Sequence, residues 1–317
     1  MTTPRQTQSY LRNLFESRGL KPKGKLGQNF LIDLNLLQVI VAAAELGRED
    51  LVLEVGSGTG SLTAALAAQA GAVLGVELDP DFYQLARENT AAFSNVVLLH
   101  VDILESKHRI NRQVLDTLRR MLVEGPARRL KLVANLPYVV ATPVITNFLV
   151  SDLPFERMVV TIQWELAARL VAEPSTKDYG SLSVLVQSLA DPRILRRLPP
   201  QVFWPRPKVD SALVLIRPNP AKRAAIRDLP GFQSFVRDLY LHRRKNLRGA
   251  LHPLLGKRFD KESLDALLSS HGFDPGGRAE ALTVAEHLRL FEVLFEAGAL
   301  AARTTDPNEK QPLDPPS

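Results

Sequence analysis

The chain has 317 residues, 45% of them hydrophobic and 23% charged, with a formal net charge of +6 and a pI near 9.6. It contains no cysteine, which excludes disulfides, cysteine-ligated metals and any chemistry that needs a thiolate nucleophile. No apolar run approaches the roughly 18 residues that a membrane helix needs, and Met1 to Tyr10 is polar without the apolar core of a secretory signal, so the sequence reads as a globular cytoplasmic protein.

Residues 1–30 are polar and basic, ending in Lys21-Pro22-Lys23-Gly24-Lys25, and form an N-terminal basic segment. Helical spacing runs from Leu34 to Leu46, with Asp33 placed to cap it. Leu51 to Val55 is a short apolar run ending at glycines, the pattern of a buried strand. Ser61 to Ala70 reads as a helix, Ala72 to Val76 as a second strand, Pro80 to Asn89 as a second helix and Val96 to His100 as a third strand. Glu105 to Arg129 is polar and arginine-rich, with a helix around Arg112 to Leu122. Lys131 to Ala134 is a fourth strand followed by a helix at Pro143 to Val150, and Met158 to Gln163 a fifth, followed by a helix at Trp164 to Val171. Strands alternating with helices predict a doubly wound α/β fold, a parallel sheet covered on both faces. Proline and arginine become dense between Asp191 and Pro220, and the pattern beyond is helical. A domain boundary is therefore expected near Asp210 to Pro220, dividing residues 31–215 from a helical domain at 216–303, with a disordered tail at 304–317.

The charge is uneven. Between Ala190 and Arg303 there are 20 Lys and Arg against 12 Asp and Glu. A basic C-terminal third points to a polyanionic partner, most plausibly nucleic acid.

Glu54-Val55-Gly56-Ser57-Gly58-Thr59-Gly60 follows a strand and opens a helix. Glycines there allow a tight turn and close approach to a ligand. Glu77, 21 positions after Gly56, ends the second strand, where an acid suits ribose hydroxyls. Asp102 sits just past the third strand, placed to accept from an adenine amino group. Successive parallel strands end along one crevice, so the three features converge. Glu54 sits poorly beside a pyrophosphate and better beside a cationic ligand such as S-adenosylmethionine.

Asn135-Leu136-Pro137-Tyr138 comes directly after the fourth strand. The N6 lone pair of adenine is delocalised into the ring, so two acceptors aimed at its N–H bonds would make it a better nucleophile. The Asn135 side-chain oxygen supplies one acceptor and the Leu136 carbonyl the other. Pro137 holds Leu136 extended, and Tyr138 offers a face for stacking. Read alone, the segment is also a tight turn after a strand; the cofactor crevice gives it chemistry. A base reached this way must be unstacked from its helix, and Phe203, within Phe203-Trp204-Pro205-Arg206-Pro207, is the candidate for a second stacking face.

These residues carry a resemblance. From about Lys25 to Leu290 the chain resembles the ribosomal small-subunit RNA adenine dimethyltransferases. The resemblance rests on Gly27-Gln28-Asn29-Phe30-Leu31, the glycine turn, Val76-Glu77-Leu78-Asp79, Asp102-Ile103-Leu104 and Asn135 to Tyr138, and continues through Tyr179 to Ser183, Pro207 to Ser211, Arg243 to Arg248 and Arg278 to Thr283. It implies a seven-stranded methyltransferase sheet with a small helical C-terminal domain, and S-adenosylmethionine-dependent dimethylation of two adjacent adenines in the 3′-terminal hairpin of 16S RNA during ribosome assembly. The substrate would be the small-subunit RNA or the pre-30S particle, and the enzyme a monomer without metal or membrane contact. The resemblance places cofactor contacts at Asn29, Leu31, Gly56, Glu77, Asp102 and Asn135. The spacing argument reaches the last four; Asn29 and Leu31 otherwise read as a capping turn before Leu34. Arg243, Arg244, Lys245 and Arg248 are candidates for phosphate contact, with Lys21, Lys23 and Lys25 as a further clamp. Val139 after the tyrosine, the long segment Glu105 to Arg129 and the tail depart from the family's pattern. Competing readings are a large-subunit RNA adenine methyltransferase of the macrolide-resistance type, a ribosome-assembly factor whose methylation is dispensable, and a DNA N6-adenine methyltransferase.

Overall fold

Four of the five residues from Leu51 to Val55 are Leu or Val, and in the computed structural model the strand they form, β1 (Asp50–Val55), is buried along its whole length. Residues 7–125, 127, 129–256 and 259–300 are described by the structure, and the expected tail at 304–317 lies outside them. On one side of β1 lie β2 (Ala72–Glu77) and then β3 (Val96–His100). On the other lie β4 (Arg129–Asn135) and β5 (Phe155–Gln163). All five are parallel, and their helices cover both faces, which is why the central strands are apolar without alternation. Two further strands, β6 (Ala190–Leu198) and β7 (Ser211–Pro218), complete a seven-stranded sheet in the order β3-β2-β1-β4-β5-β7-β6.

The expectation of a wholly parallel sheet is corrected at this edge. β7 runs antiparallel to both β5 and β6; residues 199–210, which join β6 to β7, contain no α-helix to carry the chain back across the sheet. β6 reads as a loop in sequence because it carries Asp191, Pro192, Arg193, Arg196 and Arg197. Those residues suit an edge strand, where proline removes no needed hydrogen bond and charge discourages pairing with another chain.

The N-terminal segment is more than a basic arm. Residues Gln8–Ser17 form helix α1, capped by Thr7. Leu11 and Phe15 on this helix are buried with Phe30, Phe82 and Leu85. Phe15 and Phe30 meet edge to face at 5.3 Å, and Phe30 lies 4.8 Å from Phe82. The expected helix after Asp33 forms as α2 (Leu34–Ala44); the Asp33 side chain accepts from Asn35 and Leu36 N–H, and the helix stops at Glu45, whose φ is 47°.

The chain divides into two compact units. One holds the residues up to Ala172 together with Leu189–Pro220, and thus the sheet; the other holds Glu173–Ser188 and the residues from Ala221 on. The sheet unit ends at Pro220, and Glu173–Ser188, before β6, groups with the C-terminal helices. In that second unit Phe232, Phe235, Leu239, Leu264, Leu268, Leu290 and Phe291 are buried. Helix Val284–Glu296, the last among the described residues, begins in a capping box between Thr283 and Glu286.

A buried ion pair ties the entry of β1 to β4. Lys131 donates to Asp50 at 2.9 Å and to the carbonyls of Ala44 and Glu45 at 3.1 and 2.6 Å. The two side chains are 5% and 0% exposed. Asp50→Ala should leave the ammonium buried without its counter-ion and cost about 3–5 kcal/mol, measured as a drop in the urea midpoint. The same change at Asp152, whose pair with Arg119 is exposed, should leave the midpoint nearly unmoved.

Candidate active site

β1 and β4 are neighbours, and the sheet order reverses between them, so the loops after the two strands part and leave a crevice. A cavity of about 260 Å³ opens there. Asn29, Leu31, Gly56, Glu77, Asp102 and Asn135 all line it, as do Glu54 and Pro137. The structure thus brings together all six residues expected around a cofactor, although they come from five separate stretches of chain.

Two glycines are required by close approach. Gly56 has φ +80°, and a Cβ added there would lie 3.1 Å from Cγ and Cδ of Pro137. Gly58 has φ +54°, and its Cβ would lie 3.1 Å from the Phe30 ring. The turn after β1 therefore rests on Pro137 at one side and on the aromatic cluster at the other. Gly27, φ +66°, approaches the backbone N of Tyr138 in the same way, at 3.3 Å.

The acids are held by backbone. Glu77 accepts from Gly58 N–H at 2.7 Å and from Asp79 N–H at 2.9 Å. Burial raises its carboxyl above the ordinary range, opposed by those N–H groups. Glu54 is fully buried and accepts from the Thr63 hydroxyl. Burial pushes its carboxyl up to about 8, against the hydroxyls of Thr63 and Ser57, and the neighbouring Glu77 charge adds to the rise. Asp102 is exposed and accepts from Leu104 N–H at 2.9 Å.

Asn135 ends β4. Its Nδ2 donates to the carbonyl of Asn29 at 2.8 Å, and its Oδ1 takes no hydrogen bond from any described residue. Leu136 N–H donates to Thr161 O at 3.1 Å, while the Leu136 side chain is 1% exposed. The Leu136 carbonyl likewise takes no hydrogen bond from the described residues. Tyr138 is half-buried, and its hydroxyl lies 2.6 Å from the Ser211 hydroxyl at the start of β7. Burial raises that phenol above its ordinary value. Of the four-residue segment, Asn135 and Pro137 line the cavity; Leu136 and Tyr138 do not.

Phe203 is a correction. Phe203–Trp204 pairs antiparallel with Phe30–Leu31, and the Phe203 side chain is 2% exposed in the core with Leu36, Val159 and Leu213. It offers no open ring face in this structure. Ser211 and Gly27, which contact Tyr138, went unassigned in the sequence; both lie in segments that carry the family resemblance, which was the available signal.

In the second unit the basic run Arg243 to Lys245 lies in a turn between helices Leu229–Leu241 and Leu247–Leu255. Arg243 is engaged internally: it pairs with Glu280 at 2.6 Å and donates to the Lys177 carbonyl at 2.9 Å. Arg248 pairs with Asp265 at 2.5 Å. Arg244 and Lys245 are exposed with no ion-pair partner among the described residues. In the first unit Lys23 pairs with Asp79 at 2.9 Å, Lys21 is exposed, and the Lys25 side chain lies outside the described residues. Among the described residues there is no cluster of three or more acids and histidines that could hold a metal ion, and no helix long and apolar enough to cross a membrane.

Residues 19–296 match the family model for ribosomal RNA adenine dimethylase. The chain belongs to that family. It is 41% identical over 280 residues to the ribosomal RNA small subunit methyltransferase A of Pediococcus pentosaceus, covering 88% of this chain and 92% of the relative. It is 40% identical over 290 residues to the protein of that name in Ligilactobacillus salivarius, covering 90% and 95%. Among solved structures it is similar to a dimethyladenosine transferase from Plasmodium falciparum, with a TM-score of 0.71 at 21% identity over 85% of this chain and 98% of the other. It is also similar to the 23S rRNA methyltransferase ErmE, with a TM-score of 0.59 at 26% identity over 84% and 100%.

The Glu54 carboxyl gives a stability prediction. Unfolded, it ionises near its ordinary 4.5; folded, near 8. As pH rises between those values the unfolded state has lost the proton that the folded state keeps, so stability falls. Glu54→Gln should reduce that fall, the residual slope then combining a fall from Glu77 with a rise from buried His287, whose imidazole burial lowers to about 4, measured as urea midpoints at about pH 5 and about pH 8.

Proposed function

We propose that this dimethylase-family chain transfers methyl groups from S-adenosylmethionine to N6 of two adjacent adenines in the 3′-terminal hairpin of the small-subunit RNA, acting as a cytoplasmic monomer on the pre-30S particle. The observation that carries the reading is the pair of unpartnered acceptors, Asn135 Oδ1 and the carbonyl of the next residue, Leu136, beside a cavity that Asn135 lines together with Asn29, Leu31, Gly56, Glu77 and Asp102.

The cavity's chemistry fits the cofactor. Glu77 is a fixed acceptor for ribose hydroxyls, and Asp102 an exposed acceptor for an adenine amino group. Gly56, Asn29 and Leu31 line its backbone-rich wall. Glu54, protonated at neutral pH when alone, can ionise against a cationic ligand. S-adenosylmethionine supplies an electrophilic methyl group on a sulfonium. The protein's part is to accept both N–H bonds of the target amine at Asn135 and Leu136, raising lone-pair density on N6, and to hold the base against Tyr138. No general base acts before attack; the gain is orientation and preorganised electrostatics. Arg244 and Lys245 serve as phosphate contacts, while Arg243 and Arg248 brace the turn that carries them. The small-subunit substrate is favoured over the large-subunit alternative by the names of relatives near 40% identity.

Asn135→Ala should lower methyl transfer by about a hundredfold or more while RNA affinity changes little. Transfer within about tenfold of wild type removes the assigned role. Removing Arg244 and Lys245 together should weaken RNA binding and flatten its salt dependence by about 0.7–0.9 in log–log slope for each phosphate that is no longer neutralised. Arg248→Ala should change that slope much less, and an unchanged slope for the double variant takes the turn out of the interface.

A further inference from the structure

We infer that the backbone carbonyl of Asn29 is a positioning group for methyl transfer: it holds the Asn135 side chain in the one orientation that presents oxygen to the substrate, and so demands an amide rather than a carboxylate at position 135. This rests on the reading of Asn135 given above.

A carbonyl oxygen only accepts, so the atom facing it at 2.8 Å must be a donor. An amide has a single donor end, and that contact therefore fixes which way round the group lies. The carbonyl is itself held rigidly. The Asn29 side chain donates to Gly27 O at 3.1 Å. Gly27, in the left-handed region, closes onto the Tyr138 backbone. Phe30–Leu31, immediately after, pairs with Phe203–Trp204, and the Phe30 ring is locked against Phe15 and Phe82. The N-terminal segment thus reaches across to the end of β4 and sets the polarity of the residue there.

A carboxylate at 135 would set two acceptors face to face. Nothing charged among the described residues would relieve this. The ionisable groups lining the cavity are the acids Glu54 at the end of β1, Glu77 at the end of β2 and Asp102 after β3. The β5 residue opposite Asn135 is Thr161, the neighbouring Gln28 and Asn29 are uncharged, and the Tyr138 hydroxyl is taken up with Ser211. An introduced carboxyl would therefore bind a proton more readily than usual. Once protonated, its O–H donates to the Asn29 carbonyl, and its other oxygen takes the acceptor place of the amide.

The test is Asn135→Asp, with methyl transfer measured between about pH 6 and about pH 8.5 and each rate divided by that of the wild type at the same pH, which cancels the titration of Glu54 and Glu77. The ratio should rise about tenfold for each unit the pH falls, until the introduced carboxyl is protonated. A ratio that is flat or grows with pH overturns the inference, as does a folded, cofactor-binding variant that is inactive throughout. A second measurement needs no folded carboxyl variant. In ¹⁵N-labelled wild type, the Asn135 side-chain amide, identified by its loss in Asn135→Ala, should show hydrogen exchange slowed at least tenfold relative to exposed asparagines; exchange at the exposed rate overturns the inference. Activity retained in Asn135→Ala would sink the reading of the site itself. An inactive Ala variant beside a pH-independent Asp variant would sink only the role of the Asn29 carbonyl.

Discussion

The ring of Pro137 lies so close to Gly56 that a single methyl group at position 56 would meet it at 3.1 Å. Much of the site hangs on that contact. Gly56 belongs to the turn after β1 and Pro137 to the segment after β4, so the turn expected to hold the cofactor and the segment expected to act on the base share one van der Waals surface. Gly27 repeats the arrangement against Tyr138, and at both glycines the positive φ together with the close neighbour leaves a side chain strained and tightly packed.

The same economy of motion appears in the acids. Glu77 is clamped by Gly58 and Asp79 N–H, and Asn135 by the Asn29 carbonyl. Glu77, Asp102 and Asn135 are thus each oriented by a backbone group, which carries no rotamer freedom of its own. Reorganisation is small when the orienting dipoles are already in place, and that is where preorganised sites gain rate. In the second unit a parallel device operates through charge: Glu280 and the carbonyls of the Thr176–Lys177 turn engage Arg243, which braces the turn bearing Arg244 and Lys245. Thr283, in the same family motif as Glu280, caps helix Val284–Glu296 with Glu286. A motif that is hard to rationalise in sequence therefore has two structural duties three residues apart.

Much of the first unit was legible because local signals agreed there. Leu51 to Val55 and Ala72 to Val76 are short apolar runs beside glycines, the trace that a strand buried on both faces leaves, and Val96 to His100 is a similar short run at the sheet's edge. Gly56, Glu77, Asp102 and Asn135 were legible because each sits at the end of such a strand, where parallel topology alone makes them converge. β6 was not legible, since an edge strand rich in arginine has the composition of a loop. Helix α1 was hidden by its polar face, its apolar side being only Leu11, Phe15 and their neighbours. Phe203 was misread because an aromatic beside prolines has the same local sequence whether it faces solvent or core; its pairing with Phe30–Leu31, some 170 positions away, buries it.

By itself the sequence determined the class of fold, the strand ends at which a ligand would collect, and a four-residue segment suited to an exocyclic amine, because periodicity and turn chemistry are local properties. Tertiary structure alone decided which cations remain free, which aromatic is buried, and which end of the Asn135 amide is held by the Asn29 carbonyl. Those depend on contacts between segments far apart in the chain, Arg243 with Glu280, Phe203 with the core and Asn135 with Asn29, and no local pattern encodes the partner across such a distance.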